Sequence, residues 1–371
     1  MIIRYSSVAI TTVALVLATA ASSSAAAINS VAEPSAHADD GAVYTSVQVG
    51  SRLFVAGTFT SVDGSTRLRL AALDAGTGTL DGSFRVDVDG EVRALATDGV
   101  NLFVGGKFTQ VGGVPRKNLA ALDVSTGVVQ SNFKPAPAGT VRALAYANGM
   151  VYFGGSFTKV GTTSVTYLAA ANAVTGALDS AFPSADNVVY AVKSEGNNIW
   201  VGGEFSRIGT TTRSKVAAVA TSGQVLSYRA SPGAPVWDLA VSSTGVFLAT
   251  AGGLPAGNSL YKTTSAGEKV WQVATDGNMQ TVEVLGDTVY AGGHFDNICG
   301  STTNGCGNMT LAKKALVADA GGTVPNARAW AKFNSALGVW DLTAAGGNLY
   351  ALGVFTQVNG KPLPRIARFL A

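Results

Sequence analysis

Charge is scarce in this chain. Of its 371 residues only 13% are charged, about half the share usual in soluble domains, and the formal net charge is +3. No basic stripe is interleaved with aromatics, so nucleic-acid binding lacks its electrostatic footprint. Histidine and cysteine are scarcer still, with two of each. There is no G-x-S-x-G elbow, H-E-x-x-H, P-loop or dinucleotide fingerprint, which removes the common hydrolase, metalloprotease and nucleotide-binding signatures. Asp87-Val88-Asp89-Gly90 begins like a calcium loop but lacks the downstream ligands, and reads as a turn. Nothing indicates a cofactor. Beyond the first residues, no apolar run is long enough for a membrane helix.

Those first residues read as an export signal. Arg4 supplies a positive start, Val8–Ala21 is apolar but short for a bilayer, and small residues follow. Cleavage sites of the A-x-A kind occur at Ala25–Ala27 and at Ala36-His37-Ala38. The later one is favoured because Asp39-Asp40 then opens the mature chain, which makes 1–38 an export segment and 39–371 one domain. A retained N-terminal anchor is the alternative. In an exported protein, Cys299 and Cys306, seven positions apart, are expected to close a loop as a disulfide. A metal there would need further ligands, and only His294 lies near, so no metal site is expected.

What the chain has in abundance is glycine, 45 residues of it, within a recurring phrase. The copies are LFVAGTF (Leu53–Phe59), LFVGGKF (Leu102–Phe108), VYFGGSF (Val151–Phe157), IWVGGEF (Ile199–Phe205), VYAGGHF (Val289–Phe295) and LYALGVF (Leu349–Phe355). A repeat of this period marks an array of supersecondary units that bury their faces only against one another. An apolar residue stands thirteen positions before the first glycine position in each unit: Val43, Val92, Val141, Val189, Val236, Met279 and Val339. These starts are 49, 49, 48, 47, 43 and 60 residues apart and count seven units. Each unit reads as four short strands: the start strand, the glycine-paired strand, a LAALD-like strand, and a last strand ending near Phe84, Phe133, Phe182, Tyr228, Trp271 or Phe333. Such aromatics fill the wedge between units. The fold expected is all-β, a seven-bladed β-propeller of four-stranded antiparallel blades. The fifth unit is degenerate, and the sixth carries the long loop with the cysteines. The seventh lacks its last strand, so the N-terminal tail or strands from both ends must close the ring.

The LFVGGxF phrase, the LAALD strand and the T-G turn after it resemble the secreted bacterial delta-60 repeat propellers, and more distantly kelch-type blades and the fungal cortical polarity-marker propellers. The resemblance spans the mature chain. It implies a propeller on an exported or surface protein, and no settled activity or catalytic residue.

Function is therefore sought where equivalent positions differ. The residue after each strand start gives Tyr44, Arg93, Arg142, Tyr190, Trp237, Gln280 and Trp340. Alternation places these on the opposite face from Val92 and Ala94, where aromatic faces, Arg and Gln suit a sugar, a peptide or an aromatic anion; filling space between sheets is the competing role. Beside them, Asp238 and Asp341 replace alanines, as an acid/base pair, a cation site or backbone hydrogen-bond acceptors. His294 is the one histidine after the favoured cleavage site, and the x of GGxF, where it sits, reads as an exposed rim. The leading reading is a secreted, monomeric, non-enzymatic binding or adhesion module for a saccharide, peptide or cell-surface partner at the channel mouth. The alternative is an extracellular hydrolase or lyase using Asp238, Asp341 and His294, perhaps with a divalent cation.

Overall fold

The computed structural model describes residues 28–253, 257–300, 306–335 and 337–370. The expected signal segment therefore lies mostly outside the described residues. What is described is all β, without a helix.

Seven sheets of three or more strands follow one another along the chain. They are numbered 1–7 here by their first strands: Val43–Val49, Glu91–Thr97, Val141–Ala147, Val189–Glu195, Val236–Ser242, Met279–Leu285 and Val339–Ala345. Each first strand packs against the next, and that of sheet 7 packs against that of sheet 1. The sheets stay separate ladders, and side-chain packing makes the ring. The glycine pair is what lets them approach. A Cβ on Gly154 would lie 2.3 Å from Val189 Cγ1 in the next sheet, and one on Gly155 would lie 2.0 Å from the Thr140 carbonyl. The first glycine admits the neighbouring sheet and the second admits its own first strand.

The regular four-stranded blade needs correction. Sheets 1–4 are three-stranded, and their fourth segment touches the ladder at single bridges, such as Leu73↔Leu80 and Leu122↔Val129. The cause is visible in sheets 1 and 3. Asp81 accepts the Ser83 N–H at 2.8 Å and Asp179 that of Ala181 at 2.9 Å, local turns that draw the chain off the ladder. The aromatic that follows drops into the wedge: Phe84 meets Phe54 edge-on at 5.0 Å and Phe182 meets Tyr152 at 4.9 Å. In sheet 6 Trp330, not Phe333, faces the equivalent Tyr290; Phe333 packs on Phe355 of sheet 7.

Both chain ends close the ring. Ala32–Glu33 pairs antiparallel with Ile366–Leu370, supplying the outer strand of sheet 7. Ile28 donates its N–H to Tyr290 Oη (3.0 Å), and Ala36 donates to the Gly78 carbonyl (2.8 Å). The described β structure thus begins at Ala32, ahead of Asp39. Cys299 and Cys306 form a disulfide. It spans the hairpin of Asn297–Cys299 and Thr310–Leu311, which pairs with the outer strand Lys269–Thr275 of sheet 5.

Candidate functional site

One irregularity recurs in all seven first strands. Val43 pairs with Gly57 and Thr45 with Ala56, so Tyr44 is skipped. The same shift skips Arg93, Arg142, Tyr190, Trp237, Gln280 and Trp340. A β-bulge breaks alternation and re-aims the extra residue. Simple alternation puts Tyr44 and Thr45 on opposite faces; with the bulge, both line the central channel. The seven skipped residues alone line a cavity of about 310 Å³ at its mouth. They also border a deeper chamber of about 150 Å³ that adds Ser46, Lys193, Asp238 and Asp341.

Six of the seven form a continuous belt. Arg142 lies 5.7 Å over Tyr190, Tyr190 stacks on Trp237 at 5.1 Å, and Trp237 meets Trp340 at 6.3 Å. Trp340 meets Tyr44 edge-on at 5.3 Å, and Arg93 lies 4.1 Å over Tyr44. Gln280, the seventh, is buried, and its amide N–H groups donate to the Leu337 and Val339 carbonyls. The belt rigidifies itself, since cation–π and ring–ring contacts both fix geometry. The two arginines differ. Arg93 is ion-paired with Glu91, whereas Arg142 has neither hydrogen bond nor ion pair among the described residues. The rim position of GGxF takes part once: Tyr190 Oη donates to Glu204 at 2.6 Å. Burial first, then this carboxylate, pushes the phenol up to about 12 and keeps it a donor.

The two aspartates hold sheets together. Asp238 accepts from Val282 N–H (3.0 Å) and Thr281 Oγ1 (3.2 Å) of the next sheet, and Thr281 Oγ1 accepts from Leu342 N–H of the one after. Asp341 accepts from Ser46 Oγ at 2.6 Å, linking sheet 7 to sheet 1. Sheets 2–4 carry alanine there, Ala94, Ala143 and Ala191. The sequence reading missed Lys193 and Glu283, four positions after their strand starts, where other sheets have Val47, Ala96, Ala145, Ala240 and Thr343. Two charges in an otherwise small and uncharged row were the available signal. Lys193 Nζ lies 3.6 Å from Asp238, deep in the channel, yet half its side chain meets channel solvent. Asp238 is the main reason its ammonium is held protonated beyond its usual range.

The acid/base constellation of the enzyme reading is not assembled. Asp238 and Asp341 share the chamber, but His294 is exposed at a strand end and does not line it. Asp89, of the calcium-like stretch, accepts the N–H groups of Thr109 and Gln110 at 2.8 and 2.9 Å, the commitment of a turn residue.

The charged groups in and beside the chamber make stability depend on pH. Burial raises Glu283 from 4.5 to about 7 and Asp341 from 3.8 to about 6, with Lys193 opposing both. The folded state thus holds protons that the unfolded chain has lost, and these groups' contribution falls as pH rises from about 4 to about 7. Melting temperature is expected to drop between about pH 5 and pH 7.5, and Glu283→Gln to flatten that drop. A slope unchanged in the variant would assign it elsewhere.

Residues 52–84 match the family model described as "Domain of unknown function (DUF5122) beta-propeller". No curated protein sequence matches the chain. Among solved structures, it is similar to the computationally designed Ika8 protein at 13% identity and TM-score 0.54, covering 89% of this chain and 96% of that one. It is similar to the WD40 beta propeller domain of Doa1 at 13% identity and TM-score 0.54, covering 93% and 96%. U3-55K gives 12% identity and TM-score 0.55, covering 90% and 96%. At such identities the likeness is one of fold, and that fold is propeller-like.

Proposed function

We propose that this chain is a seven-bladed β-propeller of four-segment blades, exported, that serves as a non-enzymatic binding module through its channel mouth. The observation that carries the reading is the convergence of seven bulged residues, one per sheet, on one cavity. Propeller folds commonly use such mouths, and bulges that re-aim a side chain are over-represented at barrel rims and beside active sites. The unpaired guanidinium of Arg142 beside the Tyr190, Trp237 and Trp340 rings suits a saccharide unit or peptide end that offers an acidic group and a flat or C–H face.

Export fits the N-terminal pattern and the disulfide. The earlier cleavage site, Ala25–Ala27, is the one compatible with the closing strand at Ala32–Glu33. This keeps the delta-60-like, surface-associated reading while moving the start of the mature chain.

The test is a glycan and peptide array on the mature protein, followed by calorimetry on the hits. Trp237→Ala, Trp340→Ala and Arg142→Ala are each expected to weaken binding tenfold or more, about 1.4 kcal/mol, with melting temperatures near that of the parent. Binding unchanged across all three variants would overturn the reading.

A further inference from the structure

A cavity of about 590 Å³ lies outside the channel, in the seam between sheets 4 and 5. It opens at the end of the strands opposite the ring, among the turns Glu195–Asn198 and Ser242–Gly245.

Comparison around the ring shows why it exists, because every other seam is spanned at this end. Arg52 of sheet 1 donates to the Val124 carbonyl of sheet 2 at 3.0 Å. Tyr146 of sheet 3 stacks on Phe103 of sheet 2. Tyr152 Oη donates to the Thr221 carbonyl of sheet 4, and Lys262 Nζ of sheet 5 to the Gly322 carbonyl of sheet 6. Tyr290 Oη of sheet 6 takes the Ile28 N–H, and Tyr350 Oη of sheet 7 donates to the Ala75 carbonyl of sheet 1. Between sheets 4 and 5 the equivalent residues fall short. Trp200 stands where Tyr152 and Tyr350 stand, and its buried indole N–H has no acceptor among the described residues. Val241 stands where Tyr146 stands and fills far less. The outer edge is still closed, by Tyr228 Oη and Thr263 Oγ1 at 2.8 Å. The result is a walled recess of the size ligand pockets have.

We propose that this recess is a second ligand site, which takes a neutral saccharide of one or two rings. Its lining has one charge, Glu195, and no cation, so phosphates, sulfates and carboxylates meet no counter-charge. A carboxylate accepts two sugar hydroxyls, and Ser243, Thr244 and Ser265 offer further donors and acceptors. Leu226 and Tyr228 supply the apolar wall that a C–H face needs. The site is independent of the channel mouth, which has cations and lies at the other end of the strands.

The mature protein is titrated with maltose, cellobiose and N,N′-diacetylchitobiose, followed by ligand-observed NMR and calorimetry. Saturable binding of at least one is expected. Val241→Tyr, which copies the side chain that sheet 3 uses, should cut it by roughly tenfold or more. Glu195→Gln, at an exposed residue, should weaken it with the fold intact and serves should the tyrosine variant misfold. Trp237→Ala should leave it unchanged. Absence of binding by the parent, binding indifferent to both seam variants, or binding lost with Trp237→Ala would each overturn the proposal; the last would place the sugar at the mouth.

Discussion

A chain that begins at Asp39 is expected to melt far below one that begins at Ile28. The shorter chain loses the Ala32–Glu33 strand and the buried side chains of Ile28, Ala32, Ala36 and Ala38. It also loses the Asn29 N–H to Leu370 carbonyl bond (3.1 Å) and the Arg365 guanidinium contact to the Ala38 carbonyl (2.9 Å). Tyr290 Oη and the Leu370 backbone are left without their partners. Apolar burial together with several hydrogen bonds puts the loss at about 3–6 kcal/mol, a large part of the stability of an ordinary domain. Thermal denaturation followed by circular dichroism on the two chains decides it. Equal melting temperatures would mean the segment is an ornament, and would reinstate the later cleavage site.

Gly155→Ala is expected to do comparable harm with one methyl group. The added Cβ would meet the Thr140 carbonyl at 2.0 Å and Val141 Cα at 3.1 Å, both backbone atoms that cannot rotate away. The strand must then shift from its partner and from the next sheet, costing about 3 kcal/mol or more. Gly149→Ala is the control. It sits in a turn at φ +76° with nothing near its Cβ position, so backbone preference alone applies, at about 1 kcal/mol. Urea denaturation of both variants should separate the two effects. Similar midpoints would show that the crowding at Gly155 relaxes cheaply.

The spacing from strand start to glycine was legible because a repeat constrains the same atoms in every unit. That made the seven first strands and the ring of Tyr44 to Trp340 readable as equivalent positions before any coordinate. The bulge was not legible. A one-residue register shift leaves no mark in an apolar alternation, and without it the ring and its neighbours at Thr45 and Asp238 were assigned to opposite faces. The fourth strands failed for a different reason. Asp81 and Asp179 are short local hydrogen-bonding residues that compete with the ladder, and a strand pattern does not register that competition. The closing strand is two residues long, too short to show periodicity, and it lay inside what looked like an export segment. Lys193 and Glu283 stood in plain view in a row of small uncharged residues, but only the channel explains why both charges are held there.

The strand Lys269–Thr275 is the longest outer strand among the described residues; those of sheets 1–4 are five residues each and those of sheets 6 and 7 two. Its sequence, KVWQVAT, is rich in β-forming side chains and carries a single charge, the makeup of a segment that recruits other chains. The hairpin that the chain makes between the second and third strands of sheet 6 covers its far end, at Ala274 and Thr275, and the cysteine pair closes that hairpin's loop. With the disulfide closed, that cover is expected to guard the edge against self-association. Reduction is then expected to show as aggregation at temperatures where circular dichroism still reports an intact ring; a reduced protein that stays monomeric would mean the edge needs no such cover.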